Sequence, residues 1–257
     1  MNTLILICNR LIKLFANASK ALGYVFHFFF PAKRFTIPKK SDPWFSSKTS
    51  RRIPAVFWQT NFSNRATLPI YLNYLFNRLF SPTFEYRFMD NDDCLSFIAE
   101  NFPGDIHEAF LKLKVGAAKA DFWRLLVLEK AGGVYMDVDA HFVWPLPLII
   151  KPGDRELYVK STGGQYTNYF LASEKNNPNI RRIIEIVLKN IKAAKADSVY
   201  SLTGPPCVNS ALEGKEVSHR SYRHTCVQGS FTNEHFQYMD KPKGKWTHAK
   251  ANELLEK

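Results

Sequence analysis

From Met1 to Pro31 apolar residues recur at steps of three and four. Leu4, Ile7, Cys8, Leu11, Phe15, Leu22, Val25, Phe26 and Phe29 follow this spacing, while Arg10, Lys13, Asn17 and Lys20 share another face. That spacing predicts an amphipathic helix. A membrane-spanning helix needs about 20 apolar residues without charge; here Arg10, Lys13 and Lys20 interrupt, and the later run Ala21 to Ala32 is short. The segment is expected to lie on a membrane surface rather than cross it; packing on the protein's own core is the other reading. Ala16-Asn17-Ala18 has the small-residue form of a signal-peptidase site, but charges inside the apolar run and none ahead of it argue against a secretory signal.

Beyond a Ser/Lys-rich linker at Pro43 to Ser50 the pattern changes. Ile53 to Gln59 is apolar and β-favouring, as a buried first strand should be. Residues 67–80 alternate as a helix, 84–89 as a short strand, and Asp90-Asn91-Asp92-Asp93 opens the next helix, where the acids serve as caps. Helices are expected at 105–113 and 117–131, the second ended by Gly132-Gly133. The strand 134–139 comes directly after, followed by strands at 157–161 and 168–172, a basic amphipathic helix at 179–196 and a short helix at 204–213. Strands and helices in this order indicate an α/β sheet with parallel strands. The chain divides into a basic amphipathic anchor (1–40), a linker (41–52) and one domain (53–257).

The net charge of +12 suggests nucleic acid until it is placed along the chain. Residues 1–52 carry ten of the 35 Lys and Arg but one of the 23 acids, Asp42, which leaves the larger remainder near neutrality. A nucleic-acid enzyme spreads basic residues over its binding face, so no nucleic-acid partner is expected. Lys33, Arg34, Lys39 and Lys40 instead favour an anionic lipid leaflet, and the expected location is the cytoplasmic face of a membrane, as a peripheral protein. Cys8, Cys94, Cys207 and Cys226 are too dispersed for a zinc pattern and suit a reducing compartment.

The candidate chemistry sits at the end of the strand Val134 to Asp139. Side chains alternate on a strand, so Asp137 and Asp139 share a face while Val138 points to the core. Two such carboxylates repel unless a cation lies between them, and hard oxygen donors select Mg²⁺ or Mn²⁺. In α/β sheets ligands bind outside the carboxyl ends of strands. Asp121 and Arg124, at i and i+3 on the preceding helix, face one way, either as an intrahelical ion pair or as ligand-binding groups.

The run Ala120-Asp121-x-x-Arg124 through Gly132-Gly133-Val134-Tyr135-x-Asp137-x-Asp139 resembles the sugar-binding region of glycosyltransferase family 32. The similarity extends from Ile53 to about Trp246, with Thr203-Gly204-Pro205 matching a loop common in that family. The resemblance implies a GT-A fold, a Rossmann-like mixed sheet flanked by helices, preceded here by the N-terminal amphipathic helix. It implies retaining transfer of a sugar from a UDP- or GDP-sugar donor to a saccharide or glycolipid acceptor, with Mn²⁺ or Mg²⁺ as cofactor. Asp139 would ligate the metal, Asp137 would act on the donor ribose or through the metal shell, and Asp121 and Arg124 would bind hydroxyls of the donor sugar. Gln59, Gly133 and Tyr135 would line the donor site.

Departures from the family pattern matter as well. Trp58 stands where many relatives have His, and is assigned to stacking on uracil, with a core role as the other reading. In the stretch Phe236 to Trp246 many relatives show a His that makes a third metal or diphosphate contact. Asp240 is the candidate for that ligand here, and Lys243 or Lys245 for the diphosphate. Gly163, Gly164, Tyr166 and Asn168 are placed either along the acceptor side or in an ordinary hairpin. With no carboxylate nucleophile evident, front-face attack by the acceptor hydroxyl is the expected route. Two other readings are a catalytically inactive membrane adaptor of the same fold and a haloacid-dehalogenase-type phosphatase; the second wants a different residue pattern after its second Asp than Ala140-His141-Phe142.

Overall fold

The computed structural model describes residues 2–256, the Lys243 side chain excepted. Its first element is the helix α1 (Asn2–Phe29). The face that α1 buries is not the apolar one. Ile5, Asn9, Ile12, Ala16, Ser19, Gly23 and His27 turn inward, a stripe of mainly small and polar residues at steps of three and four. At Gly23 the approach leaves no room for a side chain, since a Cβ would stand 2.3 Å from Pro69 Cγ. The polar members find partners: Asn9 Nδ2 donates to the Arg223 carbonyl at 2.8 Å, and His27 Nε2 accepts the Leu68 N–H at 3.0 Å. Leu4, Ile7, Leu11, Leu14, Phe15, Leu22, Val25 and Phe29 are left more than half exposed. No helix among the described residues is long and apolar enough to cross a membrane.

Short strands β1 (Phe35–Thr36) and β2 (Lys40–Ser41) follow, then the buried β3 (Val56–Thr60) and β4 (Arg65–Ala66), which pairs with β1. The helix α2 (Leu68–Phe80) carries Pro69 in its first turn, where the missing N–H is harmless. After β5 (Glu85–Met89) comes α3 (Asn91–Asn101), capped as the acidic run predicts. Asp90 accepts from the Asp93 N–H at 3.1 Å, and Asp93 accepts from the Asp90 N–H at 3.0 Å. Helices α4 (Asp105–Lys112) and α5 (Gly116–Ala131) lead to Gly132, whose φ of 67° ends α5 in a conformation that favours glycine. The remainder comprises β6 (Gly133–Met136), β7 (Ala140–Phe142), α6 (Leu146–Ile149), β8 (Glu156–Lys160), β9 (Tyr166–Ser173), α7 (Pro178–Ala193), α8 (Val199–Thr203), α9 (Pro205–Leu212), β10 (His219–Ser221), β11 (Cys226–Gln228) and α10 (Glu234–Tyr238).

The central sheet has the order β10-β8-β9-β6-β3-β5-β2. Strands β5, β3 and β6 are parallel, as the alternation of strands and helices predicts. The sheet is mixed, because β9 runs antiparallel to both β8 and β6. Its connection from β8 spans only 161–165, and a parallel return needs a crossover of a dozen residues or more. Apolar clusters cover both faces: Phe110, Phe122, Trp123, Leu126, Ile183 and Val208 on one, and Phe57, Ile70, Phe84, Phe142, Leu157 and Phe170 on the other. With β3 and β6 parallel, Thr60 and Met136 end on the same edge. There the mixed α/β sheet opens to solvent.

His141, on β7, is fully buried between the rings of Phe76 and Phe231, at centroid distances of 6.0 and 5.4 Å. Burial, with the Lys13 charge adding to it, holds its pKa down to about 4. A base depressed on folding binds its proton more readily in the unfolded chain, so this residue removes stability as pH falls from about 6.5 toward 4, at most about 1.4 kcal/mol per unit. His141→Phe is expected to melt higher than wild type, by a margin that widens between pH 7 and pH 4; a margin independent of pH would contradict the assignment.

Candidate active site

A cavity of about 760 Å³ opens at the carboxyl ends of β3 and β6. Its wall is built from Thr60 at the end of β3, Asn61 and Phe62 after it, the first turn of α3, the first half of α5, Asp137 to Asp139, Thr167 to Tyr169 on β9, and Gln228, Gln237 and Trp246 from the C-terminal part.

Asp137 and Asp139 meet here, although not by strand alternation. The ladder of β6 stops at Met136; the Asp137 N–H donates to the Tyr169 carbonyl at 2.9 Å, and the Ala140 N–H donates back to the Asp137 carbonyl at 3.0 Å. A tight turn brings the carboxylates together instead of the pleat. One amide spans both: Gln228 Nε2 donates to Asp137 Oδ2 at 3.3 Å and Asp139 Oδ1 at 3.1 Å, while Gln237 Nε2 donates to Asp139 Oδ2 at 2.8 Å.

Beneath the turn lies a buried ionic network. Arg124, 4% exposed, places Nη2 2.9 Å from Asp121 Oδ1 and 3.1 Å from Asp137 Oδ1. Its Nη1 donates to the Asn168 carbonyl at 2.5 Å, and its guanidinium lies 4.5 Å from the centre of the Tyr135 ring. Tyr135 in turn donates its hydroxyl to Asp137 Oδ1 at 2.7 Å. Asp121, 8% exposed, accepts Asn168 Nδ2 at 2.9 Å and the Thr203 hydroxyl at 3.0 Å. Asp121 and Arg124 therefore do form the i, i+3 ion pair, and Asp137 joins it.

Burial raises all three carboxyls. The Asp121 carboxyl is pushed up to about 6 by desolvation, with Arg124 opposing and Asp137 adding to the rise. Asp137 rises by desolvation against the Arg124 charge. Asp139 reaches about 6 through desolvation and the neighbouring Asp137 charge. Among the described ion pairs none includes Asp139. That deficit and the hard oxygen donors fit a divalent cation held by Asp137 and Asp139. No third His, Cys, Asp or Glu joins them in a metal-binding group among the described residues.

Several residues that the sequence assigns to the site lie elsewhere. Trp58 is 9% exposed, donates Nε1 to the Gly132 carbonyl at 2.9 Å and packs edge-on against Trp123, so its ring has no open face for a base. Gln59 is buried in the sheet, where Nε2 donates to the carbonyls of Met136 and Asp137 at 3.3 and 3.2 Å and Oε1 accepts the Tyr86 hydroxyl; it fixes the backbone that carries the carboxylates. Gly133 makes room for β3, since a Cβ there would stand 2.7 Å from the Val56 carbonyl. Asp240 is bound to Arg34 through two contacts of 2.7 and 2.5 Å, which hold its carboxyl below the usual range, and it does not line the cavity. Lys245 pairs with Glu234 at 2.6 Å, and Lys243 lies outside the described side chains. Gly163 and Gly164 belong to the β8 to β9 hairpin. Asn168 does reach the cavity.

The residues that sequence reading passes over are Phe62, Gln228 and Gln237. Gln237 lies within the stretch searched for a third ligand, but a search for ionisable donors does not find an amide. Gln228 has no local signal; its position follows from the pairing of β11 with β7, which sets it opposite Ala140.

Residues 69–167, which include Asp121, Arg124, Asp137 and Asp139, match the family model described as a glycosyltransferase sugar-binding region containing DXD motif. Among curated proteins, an uncharacterized glycosyltransferase, L373, of Acanthamoeba polyphaga mimivirus is 30% identical over 125 residues, 47% of this chain and 48% of that protein. Toxin Afp18 of Yersinia ruckeri is 29% identical over 111 residues, 41% of this chain and 5% of the toxin. The chain thus spans about half the length of the first relative and a small part of the second. Among solved structures, PaToxG glycosyltransferase superposes with a TM-score of 0.51 at 18% identity, covering 62% of this chain and 69% of that one, which shows a shared fold. The cavity at the end of this GT-A sheet is therefore walled in part by the stretch that matches a glycosyltransferase sugar-binding region, and Asp137 and Asp139 supply the D-x-D sequence within it.

Proposed function

We propose that this chain transfers a sugar from a UDP- or GDP-linked donor to a saccharide or glycolipid acceptor, with retention at the anomeric carbon, in the synthesis of cell-surface polysaccharide or lipooligosaccharide. The observation that carries the reading is the buried Asp121, Arg124, Asp137 network beneath a DXD turn, inside the stretch matched to the sugar-binding region. A Mn²⁺ or Mg²⁺ ion held by Asp137 and Asp139 would offset the charge on the departing nucleoside diphosphate.

The chain's own residues do the rest. Arg124 fixes Asp121 and Asp137 in place, and the edges of Asp121 and Arg124 that face the cavity orient the donor sugar through its hydroxyls. Both Asp121 oxygens already accept hydrogen bonds, from Asn168 and Thr203. Asp121 is thereby a poor nucleophile, which favours front-face attack by the acceptor hydroxyl, with its proton passing to the departing diphosphate. A trapped covalent glycosyl-enzyme would overturn that route.

Base stacking falls to Phe62. It is half-buried in the cavity wall two residues beyond β3, with Lys241 Nζ 5.7 Å from its ring centre. Phe62→Ala is expected to weaken binding of UDP or GDP about tenfold, as loss of an aromatic stack of about 1 to 3 kcal/mol implies, whereas Trp58→Phe is expected to leave the affinity within about twofold. Calorimetric titration of both variants tests this, and the reverse order of effects contradicts it.

The acceptor side is read from α1. Its outward face carries nine large apolar residues more than half exposed, Phe28 included, together with Arg10, while Lys20 at its edge donates Nζ to the Gly229 carbonyl, and the first acid in the chain is Asp42. Exposed apolar area of this extent flanked by cations fits an anionic membrane surface, with the protein peripheral on the cytoplasmic face. Co-sedimentation with vesicles containing phosphatidylglycerol is expected for wild type, reduced at least tenfold in Leu11→Asp/Leu14→Asp and reduced by salt. Equal binding to neutral vesicles by both proteins would contradict it.

A further inference from the structure

The two carboxylates of the DXD turn differ in their partners. Asp137 already faces a cation, Arg124 Nη2 at 3.1 Å, and a hydroxyl, that of Tyr135 at 2.7 Å. Asp139 faces neutral amides on both oxygens: Gln228 on Oδ1 at 3.1 Å and Gln237 on Oδ2 at 2.8 Å.

Both amides are held by elements that have other reasons to be there. Gln228 ends β11, whose ladder sets it opposite Ala140, and the next residue, Gly229, donates its N–H to the Asp139 carbonyl at 3.0 Å while accepting Lys20 Nζ at 3.1 Å. Gln237 rides on α10, a short helix capped by Asn233, which also donates to the Tyr24 hydroxyl at 2.6 Å. The rings of Tyr24 and Phe236 meet at 4.6 Å, and Thr67 donates to the Phe236 carbonyl at 3.3 Å. These contacts aim two glutamine side chains at one carboxylate.

A carboxamide carries its donor and its acceptor at equal reach. A half turn about the last side-chain bond exchanges them without moving the backbone. Beside a lone carboxylate the N–H end is favoured; beside a dication the same N–H would set positive against positive, so the oxygen end turns in. We propose that Gln228 and Gln237 are ligands of the divalent cation through their amide oxygens, completing with Asp137 and Asp139 a set of four hard oxygen donors. This rests on the reading of the chain as a metal-dependent sugar transferase. Only two of the four donors are formally charged, so the cradle binds the ion weakly alone and more strongly once the donor's diphosphate adds its own oxygens. The absence of a third ionised ligand among the described residues is then a property of the site and not a gap in it.

The test is Mn²⁺ binding by the full chain, read from the paramagnetic resonance signal of the free ion, with and without UDP. Wild type is expected to bind one Mn²⁺ more tightly with UDP present. Gln237→Ala and Gln228→Ala are each expected to weaken binding at least tenfold with or without UDP, at an unchanged circular dichroism spectrum. Gln237→Glu, which adds a charge at the same reach, is expected to tighten Mn²⁺ binding at least tenfold without UDP and to lower the melting temperature of the metal-free protein. Wild-type affinity in both alanine variants overturns the proposal; should an alanine variant fail to fold, a Gln237→Glu variant that binds Mn²⁺ no more tightly than wild type overturns it. A wild type that binds no Mn²⁺ even with UDP overturns instead the metal-dependent reading on which the proposal rests.

Discussion

Asp139→Asn is expected to lower turnover of the donor by roughly 10³-fold or more, the scale on which loss of one electrostatic group at a developing charge is felt, while raising the stability of the metal-free protein. The two effects have one origin. In the folded state burial and the Asp137 charge push the Asp139 carboxyl up to about 6, whereas an unfolded Asp titrates near 3.8. A carboxyl raised on folding favours the fold below its unfolded value and loses that contribution as pH rises through about 6. At pH 7 it is ionised against the preference of its surroundings. The neutral amide removes the strain, by an amount on the order of 2 kcal/mol after allowance for partial exposure. Melting scans of both proteins between pH 4 and 8 check the sign: the advantage of Asp139→Asn grows with pH up to about 6 and then levels. A variant less stable than wild type at pH 7, without metal, contradicts the electrostatic account.

Arg124→Ala has the opposite signature. Arg124 is the sole cation in contact with Asp121 and Asp137 among the described ion pairs, and both carboxylates are largely buried. Removing one partner of a buried ionic network leaves uncompensated charge and typically costs about 3 to 5 kcal/mol, a large share of a domain's stability. Arg124→Ala is expected to express poorly and to melt well below wild type. Arg124→Ala/Asp121→Asn is expected to recover part of the loss, since it removes one of the two stranded charges. Denaturant unfolding of both variants measures this coupling. If the double variant is no more stable than the single one, the network is not what stabilises this region. Arg124→Lys keeps the charge but cannot reach Asp121, Asp137 and the Asn168 carbonyl at once.

How much of this was readable in the amino acids depends on how local each cause is. The capping of α3 by Asp90, the end of α5 at Gly132 and the parallel β5, β3, β6 core all follow from neighbours in sequence, and the structure has them in place. The Asp137 and Asp139 convergence is legible too, but for a different reason from strand alternation: the Asp137 N–H is the last to pair with β9, through the Tyr169 carbonyl, and the Ala140 N–H then closes a turn onto the Asp137 carbonyl. Trp58 illustrates a true ambiguity. An aromatic residue in a strand satisfies a base or a core equally well, and only the packing against Trp123 and the Gly132 carbonyl decides for the core.

Helix α1 misleads in a more instructive way. Its stronger apolar periodicity marks the face turned away from the domain, while the inward face reads in sequence as mainly small and polar, with only Ile5 and Ile12 as large apolar members. Only Gly23 against Pro69, and Asn9, Tyr24 and His27 finding partners dozens to hundreds of residues away, reveal it. Asp240 and Gln237 make the same point three residues apart. The charged residue is neutralised by Arg34, and the uncharged one reaches Asp139.

The most direct test of the central claim is release of nucleoside diphosphate from a panel of UDP- and GDP-sugars by the purified full chain, with Mn²⁺, Mg²⁺ or chelator. Turnover of one donor, dependent on the metal and abolished in Asp139→Asn, is the predicted result. No release from any donor with either metal, together with no donor raising the melting temperature, would contradict it and leave the chain a GT-A-fold protein without transfer activity.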